Sequence, residues 1–352
     1  MKILSFETSC DETAVAVTED GRRVLSDAVA SQVPVHALYG GVVPEIASRA
    51  HTEAIVALTE QALSDAHCTR ADIDAVAVTY APGLIGALLV GVSFAKSMAL
   101  ALGVPLIPVH HIRGHIAANY LAFPELEPPF LSLAVSGGNT LLVDVRDYTD
   151  MQILGSTRDD AAGECFDKAA RVLGLPYPGG KPVEELAKQS PGGVYKLPSA
   201  RVDGAPLDMS FSGLKTAVVN IAHHAGQTGE ALNRAALARD FIAAVSETLV
   251  PRTMEAAKLA GRRVLCAAGG VAANTFIRHD LQEACTRAGI RLYLPPLKLC
   301  GDNGAMIGAQ AYYEYQAGHV ADMRLNAYAT REITSDWFPE RLLAMDNFNF
   351  VG

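Results

Sequence analysis

Two stretches of the chain share one pattern of apolar and polar positions. Residues 3–17 carry apolar side chains on both sides of a polar run at 7–13, and residues 130–145 do the same around 136–140. Short apolar runs that flank a polar turn are typical of β-hairpins. The sequence therefore predicts two hairpins, each with a polar tip, and an internally duplicated chain.

Helical periodicity alternates with short apolar runs around these hairpins. It predicts helices at residues 44–66, 86–102, 161–173, 235–260 and 303–317, one more after 274, and strands at 75–78, 106–109 and 264–267. Such alternation is typical of α/β architecture. Because 352 residues exceed the size at which one hydrophobic core stops growing, we expect two lobes. The predicted lobe I comprises residues 1–112 plus 305–352, and lobe II comprises residues 113–304.

Composition narrows the class of protein. Half of the residues are apolar and 19% are charged, which is typical of a globular chain. The net charge of -9 repels nucleic acid, so a polynucleotide partner would need a local basic patch or a second subunit. Six cysteines without a C-x-x-C pair favour reduced thiols over a disulfide framework or a zinc ribbon.

The sequence also predicts where the protein is found. The longest apolar run, residues 84–95, is shorter than the roughly 20 residues of a membrane-spanning helix, and Lys96 ends it. The first residues follow a strand pattern and not the pattern of a secretory signal. We therefore expect no membrane segment and a cytoplasmic location.

Two histidines and a distant aspartate form a candidate metal site. His111 and His115 are four residues apart, so a helix would place both imidazoles on one face. Asp302 lies on a glycine-flanked turn before a helix, where it is either a third ligand or an ordinary N-cap. Two histidines and one carboxylate would leave coordination positions open for a phosphate or carbonyl oxygen. A metallopeptidase motif would need glutamate directly after the first histidine, but Ile112 stands there.

Two glycine-containing turns are candidate contacts for a nucleotide. Gly137 and Gly138 would expose consecutive N–H groups to phosphate oxygens, although a two-glycine hairpin turn explains them equally well. Residues 268–274 would let backbone lie flat against a purine or a ribose where a strand ends and a helix begins.

Carboxylates supply the remaining candidates. Glu7, Asp11 and Glu12 cluster on the first hairpin tip, where one of them is expected to handle a proton, metal-bound water or a substrate amine. Asp167, together with the turn 177–180 and the following Glu184, would accept hydrogen bonds from an amine or from ribose hydroxyls. A plain helix with a Glu164 to Lys168 pair is the alternative for the Asp167 region.

Taken together, these motifs resemble one family. The resemblance rests on residues 7–13, 40–45, 110–115, 136–138, 159–164, 210–216 and 302–304, which occur in the family's order and spacing from residue 1 to about 318. The family is TsaD, formerly called Gcp. The resemblance implies an α/β fold of the actin-like ATPase (ASKHA) class, with two duplicated lobes and a nucleotide cleft between them. It also implies transfer of a threonylcarbamoyl group from threonylcarbamoyl-AMP to the N6 amine of the adenosine 3′ of the anticodon in ANN-decoding tRNAs, with release of AMP.

The resemblance assigns roles to residues and implies partners. Its metal ligands are His111, His115 and Asp302, holding one divalent ion, with Fe²⁺ favoured over Zn²⁺. Its substrate contacts are Val135, Ser136, Gly137, Gly138, Asn139, Asp167, Gly180, Glu184 and Asn274. Its partners are tRNA, a paralogous actin-like subunit (TsaB-like) and a small P-loop ATPase (TsaE-like).

This chain departs from the family at three of its positions. Members usually carry histidine at the position of Asn139 and proline at that of Lys181, and often aspartate at that of Glu184. Asparagine can hydrogen-bond a phosphate but cannot take up a proton near neutral pH. We therefore expect no proton transfer at Asn139.

One catalytic hypothesis and three rivals follow. Glu12, with Asp11 beside it, is the expected base or orienting group, and the N–H groups of Gly137 and Gly138 would stabilise charge on the departing phosphate. The rivals are a sugar kinase or ATPase of the same fold class, a metal-dependent glycoprotein endopeptidase, and a nucleotide-gated scaffold without catalysis.

Overall fold

The computed structural model describes residues 1–199 and 202–334. The strands are β1 (Lys2–Glu7), β2 (Glu12–Glu19), β3 (Arg23–Ser31), β4 (Ala75–Ala81), β5 (Leu106–His110), β6 (Phe130–Val135), β7 (Thr140–Val145), β8 (Met151–Ser156), β9 (Val264–Ala268) and β10 (Arg291–Tyr293). The helices are α1 (Val33–His36), α2 (Pro44–Asp65), α3 (Ile85–Leu102), α4 (His111–Ala122), α5 (Ala162–Val172), α6 (Gly180–Ala187), α7 (Ser212–Thr228), α8 (Arg234–Leu259), α9 (Thr275–Ala288) and α10 (Gly304–Gln316).

The strands form two five-stranded sheets of identical plan. The first has the order β3-β2-β1-β4-β5 and the second β8-β7-β6-β9-β10. In each sheet the first three strands are antiparallel neighbours, and the other two run parallel to the first strand of the hairpin. The predicted duplication and both predicted hairpins are therefore confirmed.

Helices α4 and α10 pack against each other and against the sheets. α10 packs beneath the first sheet, with Ile307 in one apolar cluster with Ile3, whereas Ile116 of α4 belongs to the cluster that contains Phe130 of the second sheet. The two helices approach closely because Gly114 has no side chain: a Cβ there would lie 2.7 Å from Cδ1 of Ile307. α10 thus packs back on the first sheet, as predicted.

The five helices predicted with bounds lie within two residues of them. Helices α1, α6 and α7 and three strands, β3, β8 and β10, were not predicted. β3 and β8 are the outer strands of their antiparallel halves. Both are partly exposed and carry few apolar residues, so the apolar pattern of the sequence does not predict them as strands. The lobe boundaries at 112 and 305 stay predictions, and residues 335–352 of the predicted lobe I lie outside the described residues.

One described helix has the length and apolar composition of a membrane span. It is α3, which has 18 residues. Its buried residues, among them Leu88 and Val92, pack in the same apolar cluster as Phe6 of the first sheet. A single helix of this kind is weak support for a membrane segment, because core helices of soluble proteins have the same composition.

Candidate active site

The site begins at one edge of the first sheet. β1, β4 and β5 are parallel neighbours, so their carboxyl ends lie at the same edge. Glu7 is the last residue of β1, Thr79 lies near the end of β4, and His111 directly follows β5. The topology therefore brings these three side chains together from distant parts of the sequence.

His111, His115 and Asp302 converge as the sequence predicts. Their candidate ligand atoms all lie within 4.8 Å of one another. Nε2 of His111 is 3.6 Å and Nε2 of His115 is 3.1 Å from Oδ1 of Asp302. Asp302 is not the N-cap of α10, because the side chain of Asn303 accepts the hydrogen bond from the N–H of Met306. The capping alternative for Asp302 is therefore wrong.

The His115 side chain is buried without hydrogen bonds. Its side chain is 1% exposed, and neither ring nitrogen has a hydrogen-bond partner among the described residues. Asp302 is close to Nε2 but does not meet it in hydrogen-bonding geometry. Because a buried polar nitrogen without a partner costs free energy, the arrangement fits a ring nitrogen that coordinates a cation.

Glu7 orients His111. One carboxylate oxygen of Glu7 accepts hydrogen bonds from Nδ1 of His111 at 3.0 Å and from the hydroxyl of Thr79 at 2.6 Å, and the other accepts from the N–H of Ser9. Since an ionised carboxylate only accepts, His111 carries a proton on Nδ1, and its Nε2, which faces Asp302, is the nitrogen that a cation would bind in place of a proton. This carboxylate–histidine arrangement is typical of metal sites. Sequence reasoning placed Glu7 on the tip but missed this role.

Charge at the cluster also fits a cation. Burial alone would lower the pKa of His111, but Glu7 and Asp302 raise it to about 9. Burial would raise the pKa of Asp302, yet His111 and His115 hold it at about 2. The carboxylates of Glu7 and Asp302 stabilise positive charge on the groups between them, and a divalent ion would supply such charge. His111, His115 and Asp302 therefore fit a metal.

Replacing Glu7 by glutamine should weaken metal binding. We expect a loss of about 10- to 100-fold in affinity for Fe²⁺ or Zn²⁺, because glutamine lacks the negative charge and has only one oxygen to accept the hydrogen bonds that both oxygens of Glu7 accept. Metal titration followed by metal analysis measures this. Glu53→Gln, on the exposed face of α2, is the matched control and should bind metal like the unsubstituted chain. Equal affinity of both variants would contradict the orienting role of Glu7.

The glycine turn lies at the corresponding edge of the second sheet. The N–H of Ser136 donates to the carbonyl of Asn139 at 2.8 Å, so the turn closes the β6–β7 hairpin. A Cβ at Gly163 would lie 2.5 Å from the carbonyl oxygen of Ser136, so the start of α5 packs directly against the turn. No atom lies within 4 Å of a Cβ built on Gly137 or Gly138. The turn therefore presents open backbone.

The end of β9 lies beside this turn. Gly269 has φ +90°, and a side chain there would collide with the carbonyl oxygen of Val135 at the end of β6. Asn274 follows and caps α9 through its Oδ1, whereas its buried Nδ2 has no partner among the described residues. Glu184 accepts a hydrogen bond from the hydroxyl of Thr275. Backbone and an unused amide donor thus lie side by side at this edge.

Asp167 and Gly180 lie at one local junction. Oδ1 of Asp167 accepts from the N–H of Gly179 at 2.6 Å, and Gly180 begins α6. Burial raises the pKa of the Asp167 carboxyl, with a further contribution from the charge of Asp11. The Glu164–Lys168 ion pair of the alternative interpretation is also present. Asp167 therefore lies on an ordinary helix, and the charge of Asp11 still acts on its carboxyl.

The first hairpin tip meets the second half of the chain. The hydroxyl of Tyr177 donates to Oδ2 of Asp11 at 3.3 Å, and Arg171 donates to the carbonyl of Gly40 at 2.6 Å. Burial raises the pKa of Glu12 to about 8, helped by the charges of Asp302, Asp11 and Glu7. Asp11 and Glu12 therefore lie close to the metal-ligand cluster on one side and to the Asp167 junction on the other.

Comparison with known proteins decides the family. The family model of TsaD, tRNA N6-adenosine threonylcarbamoyltransferase, matches residues 23–309. The tRNA N6-adenosine threonylcarbamoyltransferase of Moorella thermoacetica is 55% identical over 325 residues, which are 92% of this chain and 95% of that protein. The chain belongs to the TsaD family. The TsaD protein of Clostridium perfringens, strain 13, is 49% identical and covers 92% of this chain and 96% of its own length.

Solved structures show the fold of this TsaD chain. HypF of T. kodakarensis superposes with a TM-score of 0.58 at 15% identity, covering 92% of this chain and 49% of HypF. The (R)-2-hydroxyglutaryl-CoA dehydratase component A of Acidaminococcus fermentans superposes with a TM-score of 0.51 at 15% identity, covering 90% and 99%. The fold is the actin-like ATPase (ASKHA) fold, as the resemblance implied.

Proposed function

We propose that this TsaD chain transfers a threonylcarbamoyl group from threonylcarbamoyl-AMP to the N6 amine of the adenosine 3′ of the anticodon in ANN-decoding tRNAs, releasing AMP. The observation that carries the proposal is the cluster of His111, His115 and Asp302, which lies beside the carboxylates of Asp11 and Glu12. A sugar kinase or a plain ATPase has no use for two buried histidines that converge with a half-buried aspartate.

The chemistry of the acceptor explains why such a site is needed. The lone pair of an exocyclic purine amine is delocalised into the ring, so the amine is a weak nucleophile and the carbonyl must be activated. The mixed anhydride with AMP provides that activation. Gly137 and Gly138 are exposed, and their N–H groups would hold the phosphate and stabilise charge that develops on it as AMP leaves.

His111, His115 and Asp302 would hold one divalent ion, and we favour Fe²⁺ over Zn²⁺. Two histidines and one carboxylate with open positions are typical of non-haem Fe²⁺ sites, although zinc accepts the same donors. When bound, the ion would supply Lewis-acid polarisation of a phosphate or carbonyl oxygen. Glu7 keeps the proton of His111 on Nδ1 and its Nε2 available.

Glu12 is the proposed base or orienting group for the N6 amine, and Asp11 assists it. The raised pKa of Glu12 suits a group that exchanges protons near neutral pH. Asp11 is held by the hydroxyl of Tyr177. Asn139 would contact the adenylate only by hydrogen bonds, together with Val135, Ser136, Asp167, Gly180, Glu184 and Asn274 as the other proposed contacts.

We place this reaction in the cytoplasm and in an assembly with a TsaB-like actin-like subunit and a TsaE-like P-loop ATPase. All six cysteines are free thiols, which fits a reducing compartment. The net charge of -9 opposes tRNA binding by this chain alone. The partners are therefore expected to contribute to the tRNA-binding surface.

The isolated chain should bind tRNA weakly. We expect its affinity to be at least ~10-fold lower than that of the chain assembled with both partners, because fewer phosphates are neutralised. Gel shifts at two salt concentrations measure both affinities. Tight binding by the isolated chain would contradict the need for partners.

Reconstitution tests the function itself. The chain, both partners, threonylcarbamoyl-AMP and unmodified tRNA are incubated, and nucleosides from the digested tRNA are analysed by mass. Modified adenosine together with AMP supports the proposal. Sugar-dependent ATP turnover without tRNA modification would favour the kinase, and peptide cleavage would favour the endopeptidase. Loss of modification in single-ligand variants whose complexes stay intact would exclude a pure scaffold.

A further inference from the structure

A buried histidine lies behind the carboxylate tip. His51, on α2, is fully buried. Its Nδ1 is 2.7 Å from the hydroxyl oxygen of Thr13, and its Nε2 is 3.0 Å from the carbonyl oxygen of Cys10. Cys10 and Thr13 are the residues immediately before and after the Asp11–Glu12 dipeptide. One imidazole therefore bridges both ends of the segment that carries the two proposed catalytic carboxylates.

The partners fix the protonation of His51. The carbonyl of Cys10 can only accept, so Nε2 of His51 carries the proton and donates it. Nδ1 then carries the lone pair and accepts from the hydroxyl of Thr13. Burial lowers the pKa of His51, in agreement with this neutral form. Because both ring nitrogens are engaged, His51 has no atom left for substrate, and its effect must pass through the tip.

A second layer of polar groups supports the same ring. The N–H of Gln32 donates to the carbonyl of Asp11 at 2.9 Å, and its side-chain amide lies 3.4 Å from the ring nitrogens of His51. Oε1 of Gln32 accepts from Nε2 of His36 at 3.0 Å, and Nδ1 of His36 accepts from the N–H of Val43. Buried networks whose members are satisfied hold their groups in one arrangement.

We propose that His51 is a positioning residue that clamps the Asp11–Glu12 turn through Cys10 and Thr13. The effect on catalysis rests on the proposed function, in which Glu12 and Asp11 act on the amine. Catalytic groups lose efficiency when they shift by about 1 Å, so a looser turn would slow transfer without weakening binding. The clamp itself is a property of the fold and can be measured separately.

Thr13 offers a matched pair of variants. Thr13→Val keeps the shape of the buried side chain and removes the hydroxyl that donates to His51, whereas Thr13→Ser keeps the hydroxyl. In the reconstituted complex we expect Thr13→Val to lower kcat at least ~10-fold, with KM for threonylcarbamoyl-AMP and tRNA and metal content nearly unchanged. The melting temperature should fall by only a few degrees, because Nδ1 of His51 loses its hydroxyl donor. Thr13→Ser should stay within ~2-fold of the unsubstituted kcat.

Two further measurements separate the clamp from a general loss of packing. Thr13→Val should slow transfer much less when Glu12 is already glutamine, because interacting residues are not additive. Hydrogen exchange at the amides of residues 10–13 should be at least ~10-fold faster in Thr13→Val, a result that requires no enzymatic activity.

Each outcome decides between the possibilities. Unchanged exchange at residues 10–13 in Thr13→Val would overturn the clamp. A kcat of Thr13→Val equal to that of the unsubstituted complex would overturn the proposed effect of the clamp on catalysis. So would a loss of kcat that is just as large when Glu12 is already glutamine. Failure of the proposed function appears differently, as an unsubstituted complex that does not modify tRNA, and in that case the exchange measurement still tests the clamp.

Discussion

Replacing His111 by alanine should remove both the bound metal and the transfer activity. The variant keeps Asp302 and His115 but loses the ligand whose orientation Glu7 fixes. We expect metal content to fall from about one ion per chain to near zero. Transfer should fall on the order of 10³-fold, because electrostatic stabilisation worth several kcal/mol is lost. Metal analysis of the purified complex and the tRNA modification rate measure the two effects.

His279→Ala is the control for this experiment. His279 lies on α9, and its side chain is 69% exposed, so its loss should change neither metal content nor rate. A His111→Ala complex that retains one ion and full activity would reject the metal centre. Loss of the ion with full activity would instead restrict the metal to a structural role.

Replacing Glu12 by glutamine should slow transfer by about 10²- to 10⁴-fold, the usual contribution of a general base. The adenylate should still bind, because the open glycine turn and the edge of β9 belong to the second sheet. Single-turnover transfer and equilibrium binding of threonylcarbamoyl-AMP separate the two effects. Glu19→Gln, at the other end of β2, is the matched control and should leave both unchanged.

The pH profile adds a second test of Glu12. Burial and the neighbouring Asp302 and Asp11 raise its pKa to about 8, so the ionised base is lost as the pH falls through that range. A bound cation favours the carboxylate and moves this limb to lower pH. The acid limb should therefore lie above the ordinary carboxyl value of 4.5 and should flatten in Glu12→Gln. An unchanged limb in the variant would assign it to another group.

Much of the site could be predicted because its signals are local. A spacing of four residues places His111 and His115 on one face of any helix, and the glycines around Asp302 indicate a turn. The hairpins could be predicted because both of their strands are strongly apolar. β3 and β8 could not, because partly exposed edge strands lack that contrast.

The roles of Glu7 and His51 could not be predicted from local pattern. Glu7 meets Thr79 and His111, which lie 72 and 104 residues further along the chain. His51 reaches Thr13 across 38 residues. Such contacts depend on strand order and helix packing, which the sequence pattern does not specify. A buried polar side chain also looks like a surface residue in the sequence.

Because α4 packs closely on α10 at Gly114, a bound ion would also affect how these two helices hold together. Two of the proposed ligands, His111 and His115, belong to α4, and the third, Asp302, lies two residues before α10. An ion held there would therefore join the helix that packs under the first sheet to the helix that packs on the second. Part of its binding free energy would then resist separation of the two halves of the molecule. Chelation should therefore weaken the contact between the two sheets as well as remove the ion.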